Sequence, residues 1–171
     1  HSFPTRRSSD LTSVVGAQIT TSMNAIGSAI GALASKGAQH FLVLNLPDMS
    51  LTPVIRYAGS PLLSALAQTA SMGFNGALAG MLGGASFSGL DITLFDTFAA
   101  QTEITNNPAA FGFTDVSHAC FTGDPDGAPR PGWGPVTECA NPNDYMYFDY
   151  MHPSSALQNA LALMAYILAE R

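Results

Sequence analysis

Charge is scarce in this sequence. Only 11% of its 171 residues are charged, and lysine occurs once, at Lys36. The net charge of -6 comes from twelve acids over six bases, and the single basic pair, Arg6-Arg7, stands in an atypical N-terminal stretch. Without a basic stripe to neutralise phosphates, a nucleic-acid partner is disfavoured. Long hydrophobic runs are also missing. The longest, Ala160 to Ala169, is half of the roughly 20 residues that a membrane-spanning helix requires. His1 to Leu11 is polar and charged where a secretory signal would have its apolar stretch, so any export signal lies outside these residues. Cysteine is reduced to two residues, Cys120 and Cys139, which bracket a loop rich in proline and glycine. A disulfide across such a loop removes about 3 kcal/mol of unfolded-chain freedom and implies an oxidising compartment. Two alternatives stay open: reduced thiols, or zinc held with His118 and His152, although the paired short spacings of structural zinc sites are absent.

What is abundant is apolar surface, 47% of residues, enough for the core of one domain. Val15, Ile19, Met23, Ile26, Ile30 and Leu33 recur at helical spacing and predict a helix over Thr12 to Lys36, closed by Gly37 and packed through its small residues on a sheet. Phe41 to Leu46 and Ile92 to Asp96 read as short buried parallel strands. Between them, Tyr57 to Leu82 has a helical pattern weakened by Gly73 and Gly76 and stopped by Gly83-Gly84. Thr97 to Thr105 reads as a short helix, Ala109 to Tyr147 as a long loop stapled by the cysteines, and Ser154 to Glu170 as a last helix with Pro153 at its first turn. Helix and strand alternating through short connections is the grammar of an α/β layered fold. Two strands leave faces and an edge uncovered, so further strands are expected upstream, and the isolated chain is expected to aggregate or remain molten. His1 to Leu11 shares neither composition nor periodicity with the rest. It reads as a non-native, adapter-like segment, with a genuine polar linker as the alternative.

The most informative stretch is Tyr147-Phe-Asp149-Tyr-Met-His152-Pro153. A carboxylate three residues before an imidazole, followed by proline and a helix, places both side chains on one turn. There the acid can hold the ring tautomer while the second ring nitrogen faces a nucleophile. A packed or capping histidine would give the same spacing.

The order of pieces is more specific than any one of them. Gly37-Ala-Gln-His-Phe-Leu-Val-Leu-Asn-Leu-Pro-Asp48, Leu51-Thr-Pro53, Gly73-Phe-Asn75, Asn107-Pro-Ala-Ala-Phe-Gly112, the two cysteines and Phe148-Asp149-Tyr-Met-His-Pro153 together resemble the C-terminal half of the GDSL-type SGNH hydrolases, from about residue 13 to 171. The resemblance implies a three-layer α/β/α, flavodoxin-like fold whose N-terminal strands are not in this stretch, with residues 12–171 the C-terminal portion of a single domain. It also implies an exported esterase or lipase without a cofactor, secreted, periplasmic or at the cell surface; relatives include autotransporter passengers. Its substrate would be a small-molecule or lipid ester. In that family a serine attacks the ester carbonyl, a histidine acts as base and then acid, and an aspartate orients the imidazole. Asp149 and His152 match the last two roles. Oxyanion donors come from the serine N–H, a glycine and an asparagine.

The departure is as informative. Neither Gly-Asp-Ser-Leu nor Gly-x-Asn-Asp occurs in the 171 residues, and Ser8-Ser9-Asp10-Leu11 has the wrong order to replace the first. The alternative reading is a non-catalytic carbohydrate- or surface-binding module on the same fold.

Other residues have modest readings. Asp48 ends a strand where α/β proteins place ligands, or caps the next turn. Asn75 is expected to hydrogen-bond locally. Asp124-Pro-Asp-Gly127 hints at a calcium loop but reads better as a β-turn. His40 and His118 read as structural. Trp133 and Phe121 line an acyl pocket or pack the loop. The 171-residue chain is expected to show no turnover of a short-chain aryl ester; turnover abolished by His152→Ala would overturn this.

Overall fold

The structure is a computed structural model that describes residues 8–123 and 135–170, with side chains from residue 12 onward. The Arg6-Arg7 pair, the Asp124 to Gly127 turn and Trp133 lie outside the described residues. The chain folds as a mixed α/β unit with five α-helices and four strands among the described residues. They are α1 (Ser8–Ala34), β1 (His40–Leu44), α2 (Pro53–Tyr57), α3 (Pro61–Leu82), β2 (Asp91–Phe95), α4 (Thr97–Asn106), β3 (Asp115–Ala119), β4 (Tyr145–Tyr147) and α5 (Ser155–Ala169).

β1 and β2 pair in parallel from His40 opposite Asp91 to Leu44 opposite Phe95, as the two apolar runs predict. Burial is the difference. Along β1, exposed and half-buried residues alternate, and Leu42 and Leu44 keep 45% and 51% of their surface. The long helix α1 packs against α3. A Cβ on Gly27 would lie 3.3 Å from the Met81 sulfur, and one on Gly73 would lie 3.5 Å from an Ile19 methyl. The tight approach is at Gly27, whereas Gly73 has only an ordinary contact and Gly76 has no neighbour within 4 Å of a Cβ placed there.

Structure and sequence expectation differ in three places. The helix read over Tyr57 to Leu82 forms unbroken as Pro61–Leu82 and ends at Gly83 as expected; its start moves because Gly59 takes φ 61° and Ser60 caps it, accepting the Leu63 N–H at 3.3 Å with Pro61 at its first position. The stretch read as a loop from Ala109 to Tyr147 contains β3 and β4, a second parallel pair separate from the first. β3 is bulged and carries Asp115, Ser117 and His118, and β4 is three residues long. Neither shows the apolar alternation that marks a strand. Pro153 also lies outside α5: it bridges to Tyr147, and Ser154 caps the helix by accepting the Leu157 N–H at 3.2 Å.

The best-packed core lies around this second strand pair. Ile104, Phe113, Met146, Tyr147 and Leu157 are buried together. Leu161 and Met164 of α5 connect them to Phe95, Ala100 and Ala165. A polar link crosses between the strand pairs. The Gln101 amide accepts the Asp48 N–H at 2.7 Å and donates to the Tyr147 hydroxyl at 2.7 Å, with Gln101 and Tyr147 both buried. Met146→Ala should destabilise the protein by about 2–5 kcal/mol. Leu62→Ala, at a position 68% exposed, should change stability by less than about 0.5 kcal/mol. A cooperative urea transition in the parent chain would overturn the expectation of a molten state, and unfolding of the two variants then checks both.

Candidate functional site

β4 delivers the chain to a tight turn over residues 148–152. The Phe148 N–H donates to the His152 carbonyl at 2.9 Å, and the Ser154 N–H to the Met146 carbonyl at 3.0 Å, closing the turn at its base. On the far side, the Tyr150 carbonyl accepts the Val54 N–H at 2.9 Å. The Tyr150 ring, buried, meets Tyr57 edge-on with centroids 5.6 Å apart. The turn is thus pinned to α2, β4 and the start of α5.

Within it Asp149 serves two purposes. One carboxylate oxygen, Oδ1, accepts the backbone N–H groups of Met151 at 2.7 Å and His152 at 2.6 Å. The other, Oδ2, lies 2.7 Å from His152 Nδ1. An ionised carboxylate accepts only, so the imidazole carries its proton on Nδ1 and turns the Nε2 lone pair away from the acid. The acid is largely covered and the ring largely open, at 21% and 72% side-chain exposure. Burial pushes the Asp149 carboxyl up. The two backbone N–H groups and the His152 ring outweigh it, so its pKa lies below the ordinary 3.8.

The same geometry occurs a second time. Asp115 Oδ1 accepts the N–H groups of Ser117 and His118 at 2.9 and 2.8 Å, and Asp115 Oδ2 lies 2.9 Å from His118 Nδ1. Its pKa is also lowered: burial raises it, and the two N–H groups and the ring overcome this. Sequence reading passed over this pair although Asp115-Val-Ser-His118 repeats the Asp-x-x-His spacing. His40, the remaining histidine with a described position, contacts Asp91 across the β1–β2 ladder at 2.8 Å, with both side chains mostly exposed. An Asp–His contact is therefore common in this chain, and setting distinguishes one pair from another. His152 stands between two cavities. One, of about 480 Å³, is lined by residues including Pro142, Asn143 and Gln158. The other, of about 450 Å³, is lined by Phe121, Glu138 and the pair itself.

The other sequence candidates fall into place. Cys120 and Cys139 form a disulfide, so the free-thiol and zinc alternatives fall away. Asp48 is buried and caps the turn after β1 through the Ser50 N–H at 2.9 Å, and it also accepts the Gln68 amide at 2.8 Å. Asn75 bonds both backbone groups of Leu46 at 2.8 Å, which ties the chain beyond β1 to α3 from 29 residues away. The Tyr147 phenol is pushed up to about 12 by burial, with the Asp48 charge adding to it against the Gln101 hydrogen bond and the Arg56 charge. No helix among the described residues is long and apolar enough to cross a membrane.

No family model matches the chain. It is similar to GDSL esterases/lipases of Arabidopsis thaliana. One is 28% identical over 145 residues, covering 80% of this chain and 39% of that protein. A second is 34% identical over 71 residues, 42% of the chain and 19% of the relative. A third is 29% identical over 127 residues, 70% and 34% respectively. The chain thus spans less than two-fifths of the length of these relatives.

Because the native pKa of Asp149 and Asp115 is depressed, each contributes stability above the unfolded aspartate value and loses it as pH falls through the lower native one. Carboxyl-carbon NMR should show both aspartates with midpoints below 3.8, and Asp149→Asn should flatten the acid limb of the stability–pH curve.

Proposed function

We propose that this relative of the GDSL esterases/lipases carries the general base and its orienting acid for a carboxylic ester hydrolase working through a serine acyl-enzyme. His152 takes the proton from the serine hydroxyl through Nε2 and returns it to the leaving alkoxide. Asp149 holds the tautomer and stabilises the imidazolium. The observation that carries this is the Asp149 carboxylate, whose two oxygens divide the work: one orders the turn and the other holds Nδ1. Family resemblance points to this pair rather than the equivalent one at Asp115 and His118, because Phe148-Asp149-Tyr-Met-His-Pro153 is the matching motif.

In this reading the serine and the oxyanion donors come from residues outside the 171, within one three-layer α/β/α domain of which residues 12–171 are the later part. The substrate is a small-molecule or lipid ester, no cofactor takes part, and the Cys120–Cys139 disulfide suits an exported protein. The competing reading is a non-catalytic carbohydrate- or surface-binding module on the same fold, in which the pair is a relic.

The experiment that separates them reads the coding sequence upstream for an in-frame Gly-Asp-Ser-Leu and assays the protein that contains it. His152→Ala and Asp149→Asn should each lower kcat for a short-chain aryl ester by about 10⁴ with KM little changed. His118→Ala should leave both unchanged. Full activity in His152→Ala, or no upstream motif, would overturn the hydrolase reading.

A further inference from the structure

The cavity of about 450 Å³ beside the Asp149–His152 turn has walls built from three chain segments. Phe121 and Phe148 stack with centroids 6.1 Å apart and planes within 15°. The Phe121 N–H donates to the Phe148 carbonyl at 2.7 Å, and the Phe148 N–H to the His152 carbonyl at 2.9 Å, so the aromatic wall is wired to the turn that carries the imidazole. Phe121 also bridges in antiparallel fashion to Glu138, one residue from the Cys120–Cys139 disulfide on both strands. Gly123 makes room for the ring, since a Cβ there would lie 2.5 Å from it.

The lining chemistry is one-sided. Two aromatic rings offer a flat apolar surface. Two carboxylates, Glu138 and Asp149, line the same space, and the His152 Nδ1 is engaged by Asp149. The exposed Glu138 carboxylate attracts cations and repels anions, and an aromatic ring adds to that preference where it presents its face. We propose that this cavity is the specificity pocket of the site. It takes an aryl or ammonium-bearing arm without negative charge, with Phe121 and Phe148 supplying the contact surface and Glu138 the charge discrimination. That the arm belongs to an ester rests on the hydrolase reading above; the binding preference does not.

Binding is therefore tested without turnover, by titrating the purified isotope-labelled protein at low salt with benzyltrimethylammonium and, separately, benzenesulfonate. Amide shifts at Phe121, Glu138 and Phe148 should saturate with the cation at about tenfold lower concentration than with the anion. Glu138→Gln, at an exposed position, should reduce the roughly tenfold ratio to about twofold, a change of about fivefold that is the most one surface charge contributes at low salt. Phe148→Ala should weaken both. Equal affinity for the two probes, an unchanged ratio in Glu138→Gln, or shifts confined to another region would overturn the proposal. A protein with this preference that hydrolyses no ester overturns the hydrolase reading alone. Hydrolysis without the preference overturns the pocket alone.

Discussion

A single buried amide links the two strand pairs of this chain. Gln101 reaches back to the backbone at Asp48, beyond β1, and forward to the Tyr147 hydroxyl on β4. Both partners are buried, so losing the amide would strand a peptide N–H and a phenol away from water, each costing about 1–3 kcal/mol. Because Tyr147 lies two residues before Asp149, the same link, together with Leu161 and Met164 of α5, ties the Asp149–His152 turn to β1 and β2.

From that anchor the site is assembled by backbone bonds more than by side-chain packing. The 148–152 turn is closed at its base by two peptide hydrogen bonds and organised inside by one carboxylate oxygen. Such a turn leaves its second oxygen free to fix an imidazole at low entropic cost, since the acid is already immobile. The disulfide extends the same economy to the neighbouring wall. It joins Cys120 to Cys139 next to Phe121 and Glu138, which places an aromatic stack and an acid beside the ring without further core.

The Asp-x-x-His turn occurs twice among the described residues. Asp115–His118 matches Asp149–His152 in spacing, hydrogen bonding and direction of pKa shift, yet it sits in a bulged strand. Asp-x-x-His is a stable local turn in its own right. It becomes a chemical site only with cavities on either side of the ring and a nucleophile to face.

What the sequence by itself determined was local. Apolar runs marked β1 and β2 and their parallel pairing, helical spacing marked α1, α4 and α5, and Asp149-Tyr-Met-His152 marked the turn, because these depend on neighbours within a few residues. Punctuation was legible too, in the Gly59-Ser60-Pro61 break, although the helical pattern obscured it. Tertiary structure alone decided the rest. β3 and β4 are strands because they find each other across 25 residues and more, with no alternating pattern of their own. Asn75 meets Leu46 and Gln101 meets Tyr147 through contacts that polar residues make at long range and announce nowhere in the sequence. Glu138 comes to share a cavity with His152 for the same reason: a disulfide and a strand bridge, rather than sequence proximity, bring them together.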